Sequence, residues 1–115
     1  MVAGKYDFIV EKGTDWNQTL TLRDSEHQLM NLTGYDARMQ IRSSQSASST
    51  ILELTVGSGL TLGGSTGTIT INVGDSVTSA IDEDSGVYDL ELIDTDGKVI
   101  RLLEGEVEFK DEVTR

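Results

Sequence analysis

An all-β fold, an antiparallel sandwich of about eight short strands with one helical turn, is what this chain predicts, on three observations. Apolar residues recur with period two in segment after segment. Turn chemistry separates these segments at roughly 8–12-residue intervals, and no stretch of any length carries a helical period. Proline and cysteine are both absent, so twelve glycines supply the turns and no disulfide framework holds the fold.

The segments follow in order. Tyr6, Phe8 and Val10 alternate with Asp7, Ile9 and Glu11, and Gly13 marks the first turn. From Trp16 to Arg23, Trp16, Leu20 and Leu22 take one face against Thr19, Thr21 and Arg23. A polar turn, Asp24-Ser25-Glu26-His27, and an apolar stop, Leu29-Met30, lead to Leu32-Thr33-Gly34-Tyr35. In Asp36 to Arg42, Ala37, Met39 and Ile41 oppose Arg38, Gln40 and Arg42. These two strands, joined by turn chemistry, predict an antiparallel sheet with one buried face.

Ser43 to Ser49 has no apolar side chain larger than alanine and predicts a mobile loop dispensable for folding. Ile51 to Val56 is a short strand. Leu60 and Leu62, a connection rich in glycine, then Ile69, Ile71 and Val73 predict a hairpin. Asp75 to Ile81 breaks the alternation: Asp75 or Ser76 is placed to cap one helical turn, with Val77 and Ile81 on one side. Tyr88, Leu90 and Leu92 resume period two, and Asp94-Thr95-Asp96-Gly97 predicts a hairpin turn. In the last strand, Val99 to about Phe109, Gly105 marks a bulge or bend.

This pattern predicts an immunoglobulin-like sandwich lacking the Cys…Trp…Cys hallmark, with a small barrel of the same strands as the alternative. The predicted inward set is Phe8, Val10, Trp16, Leu20, Leu22, Leu32, Met39, Ile41, Leu52, Leu54, Ile69, Ile71, Tyr88, Leu90, Leu92, Leu103 and Val107. At 115 residues one domain, 1–115, is expected.

The net charge of −11 is uneven: residues 1–81 hold 8 acids against 5 bases, residues 82–115 hold 12 against 4. Such a field repels phosphate backbones and anionic lipid, so neither nucleic acid nor a membrane is expected as partner. No apolar run approaches a membrane span, and Met1 to Asp7 lacks the basic-then-apolar pattern of an export signal. Synthesis in a cytoplasm is the expectation.

Candidate chemistry is sparse. His27, the single histidine, lies in a polar turn, where an exposed side chain outweighs a catalytic triad. Asp82-Glu83-Asp84 and Asp94-Thr95-Asp96-Gly97 invite a calcium reading, but neither completes a calcium loop, and turn chemistry explains the second. Glu104, Glu106 and Glu108 share one strand face and predict a solvated surface. Trp16 has the parity of Leu20 and Leu22 and predicts a core residue rather than a sugar platform. Arg38 and Arg42 face outward, are expected to pair with acids such as Asp89 and Glu91, and form the candidate interface. No catalytic residue, metal site or cofactor is assigned.

Four segments carry a resemblance: Tyr6 to Gly13, Leu32 to Arg42, Gly67 to Ile71 and Gly86 to Leu92. The second, Leu-Thr-Gly-Tyr-Asp-Ala-Arg-Met-Gln-Ile-Arg, is the most specific. Together they resemble small tail-associated proteins of bacteriophages and prophages and, more distantly, the N-terminal domain of phage baseplate upper proteins. The resemblance implies a non-enzymatic structural part of a tail or baseplate, located in the virion after synthesis in the bacterial host. Its implied partners are other tail or baseplate proteins, with homo-oligomers included. A carbohydrate-binding accessory module is the alternative, and it requires a row of exposed aromatics.

Overall fold

The computed structural model describes residues 4–111. The sequence features of Met1–Ala3 and of residues 112–115, including Glu112, lie outside it. The alternating segments become nine strands: β1 (Gly4–Lys5), β2 (Phe8–Glu11), β3 (Trp16–Thr21), β4 (Asp36–Arg42), β5 (Leu52–Val56), β6 (Gly59–Leu62), β7 (Thr68–Val73), β8 (Ser85–Ile93) and β9 (Val99–Lys110). One helical turn, α1 (Asp75–Thr78), links β7 to β8, and a 3₁₀ turn at Gly64–Thr66 joins β6 to β7. Among the described residues no helix is long and apolar enough to cross a membrane.

The hydrogen-bonded path is β1-β9-β8-β4-β5-β6-β7-β3, with β2 continuing the line of β1 along β9. The result is a curled mixed sheet. Most pairs are antiparallel, but β1 and β2 run parallel to β9, and β5 meets β6 in a parallel step. This corrects the all-antiparallel expectation. A parallel first strand needs no hairpin to β9, since the two lie at opposite ends of the chain. The tight turn after Glu11, with Gly13 at φ 82°, then delivers Trp16 edge-on to the Phe8 ring at 5.4 Å.

A second correction concerns the two strands flanking the Asp24 turn, which do not pair with each other. β3 pairs with β7, while β4 sits between β5 and β8. The Asp24 turn closes only its own small hairpin, through the Arg23–Leu29 bridge. The 14 residues between β3 and β4 are long enough to carry the chain elsewhere, and Leu32 anchors them in the core.

The expected parity holds in β2, β3, β4, β7 and β8, and in β9 it holds from Leu103 to Phe109 and reverses across a bulge. Phe8, Val10, Trp16, Leu32, Met39, Ile41, Leu54, Ile69, Ile71, Tyr88, Leu90, Leu92 and Val107 are buried as expected, while Leu20, Leu22, Leu52 and Leu103 are half-buried. Ala37, Leu60, Val73, Ile81 and Phe109 join the same cluster.

Two glycine and helix details differ from the sequence expectation. The bulge in β9 falls between the Leu90–Leu103 and Glu91–Arg101 pairs, not at Gly105. Gly105 instead pairs with Tyr88 and lets the Tyr6 carbonyl approach; a Cβ there would lie 2.2 Å from that oxygen. In α1 the N-cap is Gly74, so neither Asp75 nor Ser76 caps it. Val77 points to solvent, Ile81 inward, and the fully buried side chain is Thr78.

Thr78 explains how α1 is held. Its hydroxyl accepts from the Gly13 amide at 3.1 Å and donates to the Thr14 carbonyl at 2.8 Å, which ties α1 to the β2–β3 turn. Thr78→Val keeps the shape and strands the Gly13 amide, so a loss of about 1–3 kcal/mol is expected by denaturant titration, with Thr78→Ser recovering most of it.

The two acid-led turns are twins. Asp24 Oδ1 accepts from the amides of Glu26 and Gln28, as Asp94 Oδ1 does from Asp96 and Lys98. Gly97 takes the left-handed position in one turn at φ 85°, and His27 takes it in the other at φ 64°. The β-carbon of His27 is strained there. His27→Gly is expected to raise stability by about 0.5–1 kcal/mol, and thermal melting checks it.

Candidate functional site

Alternation leaves each strand with one outward set, and register places these sets side by side. On β4, β8 and β9 they are charged. One row across the sheet runs Glu53, Gln40, Asp89, Glu104 and Lys5; the next contains Arg38, Glu91 and Arg101. Arg38 Nε donates to Glu91 Oε1 at 2.7 Å, the expected pairing with an adjacent-strand acid. Arg42 behaves differently. It donates to the Ala47 carbonyl and to Gln40 Oε1, both at 2.9 Å, and Gln40 in turn donates to Glu53.

Arg42 therefore ties the Ser43–Ser49 loop to β4, and Ala47 is half-buried beneath it. The loop has an anchor that its composition does not announce. Between the loop and β9 lies an open concavity of about 570 Å³, walled by Lys5, Arg42, Arg101, Asp89, Glu104 and Glu106. The two candidate interface residues share one face, but Arg38 is committed to Glu91 while Arg42 lines the concavity.

Partial burial raises the Asp89 carboxyl pKa above the ordinary value; Glu91 and Glu104 add to this, and Arg101 at 3.6 Å opposes it. The unfolded chain releases this proton at about pH 4, so just above that value the folded state holds more protons than the unfolded one. Stability from this group falls as pH rises through the window. Asp89→Asn is expected to flatten that fall, as read by denaturant titration on both sides of it.

On β3, β7 and β6 the outward sets carry no charge. Asn17 stands opposite Asn72, Thr19 opposite Thr70 and Thr21 opposite Thr68, with Thr61 of β6 beyond Thr70. Thr19 and Thr70 hydroxyls are 3.2 Å apart. In a chain with 29 charged residues, a seven-residue Thr/Asn surface is a marked segregation. Short and β-branched side chains lose little rotamer freedom when covered, which suits a surface built for contact.

The remaining candidates are placed plainly. His27 is exposed on its turn. Among the described residues no group of three His, Cys, Asp or Glu side chains is arranged to hold a metal, the acidic turns included. Glu106 and Glu108 are exposed and Glu104 half-buried on the outward face. Trp16 is 6 % exposed, and Tyr6 and Tyr35 are the aromatics that reach solvent.

Two features escaped sequence reasoning. Lys12 is buried with its ammonium 2.9 Å from Asp111 and 3.9 Å from Asp84, a long-range tie between the ends of β2 and β9 that no local pattern signals. The Thr/Asn face was visible as polar residues at alternate positions, but only strand order unites the three strands. No protein-family model matches the chain, and no curated protein is significantly similar to it.

Proposed function

We propose that the chain is a non-enzymatic structural component of a phage or prophage tail or baseplate, working through protein–protein contacts in the virion. The observation that carries this reading is the division of the outer surface into a charged face and a charge-free Thr/Asn face. The Leu32–Arg42 segment, which bears the resemblance to tail-associated proteins, builds β4 at the centre of the charged face. Contacts avoid the Glu104, Glu106 and Glu108 surface, where like charges repel, and use the β6–β7 hairpin and its neighbour β3.

In this reading the curled sheet works as a two-layer, immunoglobulin-like sandwich. One layer is β1/β2-β9-β8-β4-β5 and the other β6-β7-β3. Support comes from the β5–β6 step, which has only two pairs, Thr55–Gly59 and Val56–Leu60, around Gly57 and Gly59 at positive φ. So short a link acts as a corner between layers. The carbohydrate-module alternative loses its best platform, because Trp16 is buried.

The test is purification of tail particles from cells that carry the gene, followed by immunodetection of this chain. Its presence at fixed stoichiometry supports the reading, and its absence from every particle fraction overturns it.

A further inference from the structure

Of the two ends of the strand path, one is blunted and the other is not. Along the β1/β2 end the backbone is interrupted: the Asp7 carboxylate, not a main-chain group, accepts the Glu106 amide at 2.9 Å. Lys5 and Glu11 add charge to that edge. Sheet edges protected in this way resist pairing with other chains.

β3 has none of these protections. It pairs with β7 over six residues in unbroken register, and no second strand lies along its other edge among the described residues. Trp16 to Thr21 contains no charge and no proline. An unprotected, uncharged edge leaves main-chain donors and acceptors that an extended strand satisfies.

We infer that β3 is a strand-addition site whose occupant is β3 of a second copy, paired antiparallel about a two-fold axis through Thr19. The inference deepens the assembly reading and rests on it for its biological use. Three observations select a second copy. In a sheet with both cores on one side, opposed residues share a face, so an axis at Thr19 sets Asn17 against the partner's Thr21 and Gln18 against the partner's Leu20. Outward residues meet outward ones and inward residues meet inward ones along the strand. Next, two chains of net charge −11 repel, and β3 is an edge at which they meet without opposing charges. Finally, the Thr/Asn face then continues from three strands to six, while the acids of β9 stay on the other layer.

The axis makes Thr19 its own neighbour, which gives a sharp test. Thr19 is exposed, and its side-chain bond to Thr70 lies at the surface, so charged variants are expected to fold. Sedimentation equilibrium at raised salt is expected to show a wild-type dimer. Thr19→Lys and Thr19→Glu each place like charges directly opposite and weaken that dimer by roughly fivefold. Mixing the two variants restores association as a heterodimer, and circular dichroism melting confirms that each is folded. A wild-type chain monomeric across the whole concentration and salt series overturns the inference. So does a dimer indifferent to both substitutions, which would place the contact elsewhere. Neither outcome touches the virion role itself, which is judged by presence or absence in tail particles.

Discussion

Leu90→Ala is expected to cost about 2–5 kcal/mol, measured by chemical denaturation. Leu90 has no exposed surface and lies on β8, the strand between β4 and β9. Its pairs are Met39 on one side and Leu103 on the other. Neighbours held by ladders on both sides cannot collapse into the space, so most of the cavity persists. Glu91→Ala, one residue on and facing outward, removes only the exposed-side pair to Arg38 and is expected to cost under about 1 kcal/mol. Equal losses at the two positions would contradict the assigned parity.

Gly105→Ala is the second large effect, and its cause is backbone rather than cavity. The new Cβ would stand 2.2 Å from the Tyr6 carbonyl oxygen and 2.7 Å from Asp7 Oδ1. The Tyr6 carbonyl also accepts the buried Tyr88 hydroxyl, so it is held from both sides. Burial raises the Tyr88 pKa, with Asp7 and Tyr6 adding to it, which keeps that hydroxyl a donor well above neutral pH. Relief requires β1 and β2 to move off β9. A loss of about 1–3 kcal/mol is expected, with hydrogen exchange accelerated first in Tyr6 to Glu11. Unchanged protection there would show that the first strand is not locked by this approach.

These cases mark what was legible in the residues alone. Period two reports local geometry, so it located Leu90 and its parity, the β6–β7 hairpin and the Asp94 turn. Partner choice is not local. Nothing in Trp16 to Arg23 states that its neighbour is Thr68 to Val73 rather than Asp36 to Arg42, because both present the same alternation. Gly105 shows the same limit: a glycine in a strand signals a bulge or a close approach, and only the Tyr6 carbonyl decides between them. Arg38 found its acid across a ladder, as its face predicted. Arg42 turned instead to a main-chain carbonyl in a loop whose composition offers nothing to hold.

The Thr/Asn surface is the consequence of greatest functional weight, since the assembly account depends on contact there and not on the acidic face. The direct measurement is light scattering across a salt series for the wild type, for Thr70→Lys on the charge-free face, and for Glu106→Gln on the charged one. The account predicts that association of the wild type rises with salt as its net charge is screened, that Thr70→Lys removes the association beyond the β3-paired dimer, and that Glu106→Gln does not. A salt-insensitive oligomer unaffected by Thr70→Lys and dissolved by Glu106→Gln would contradict it.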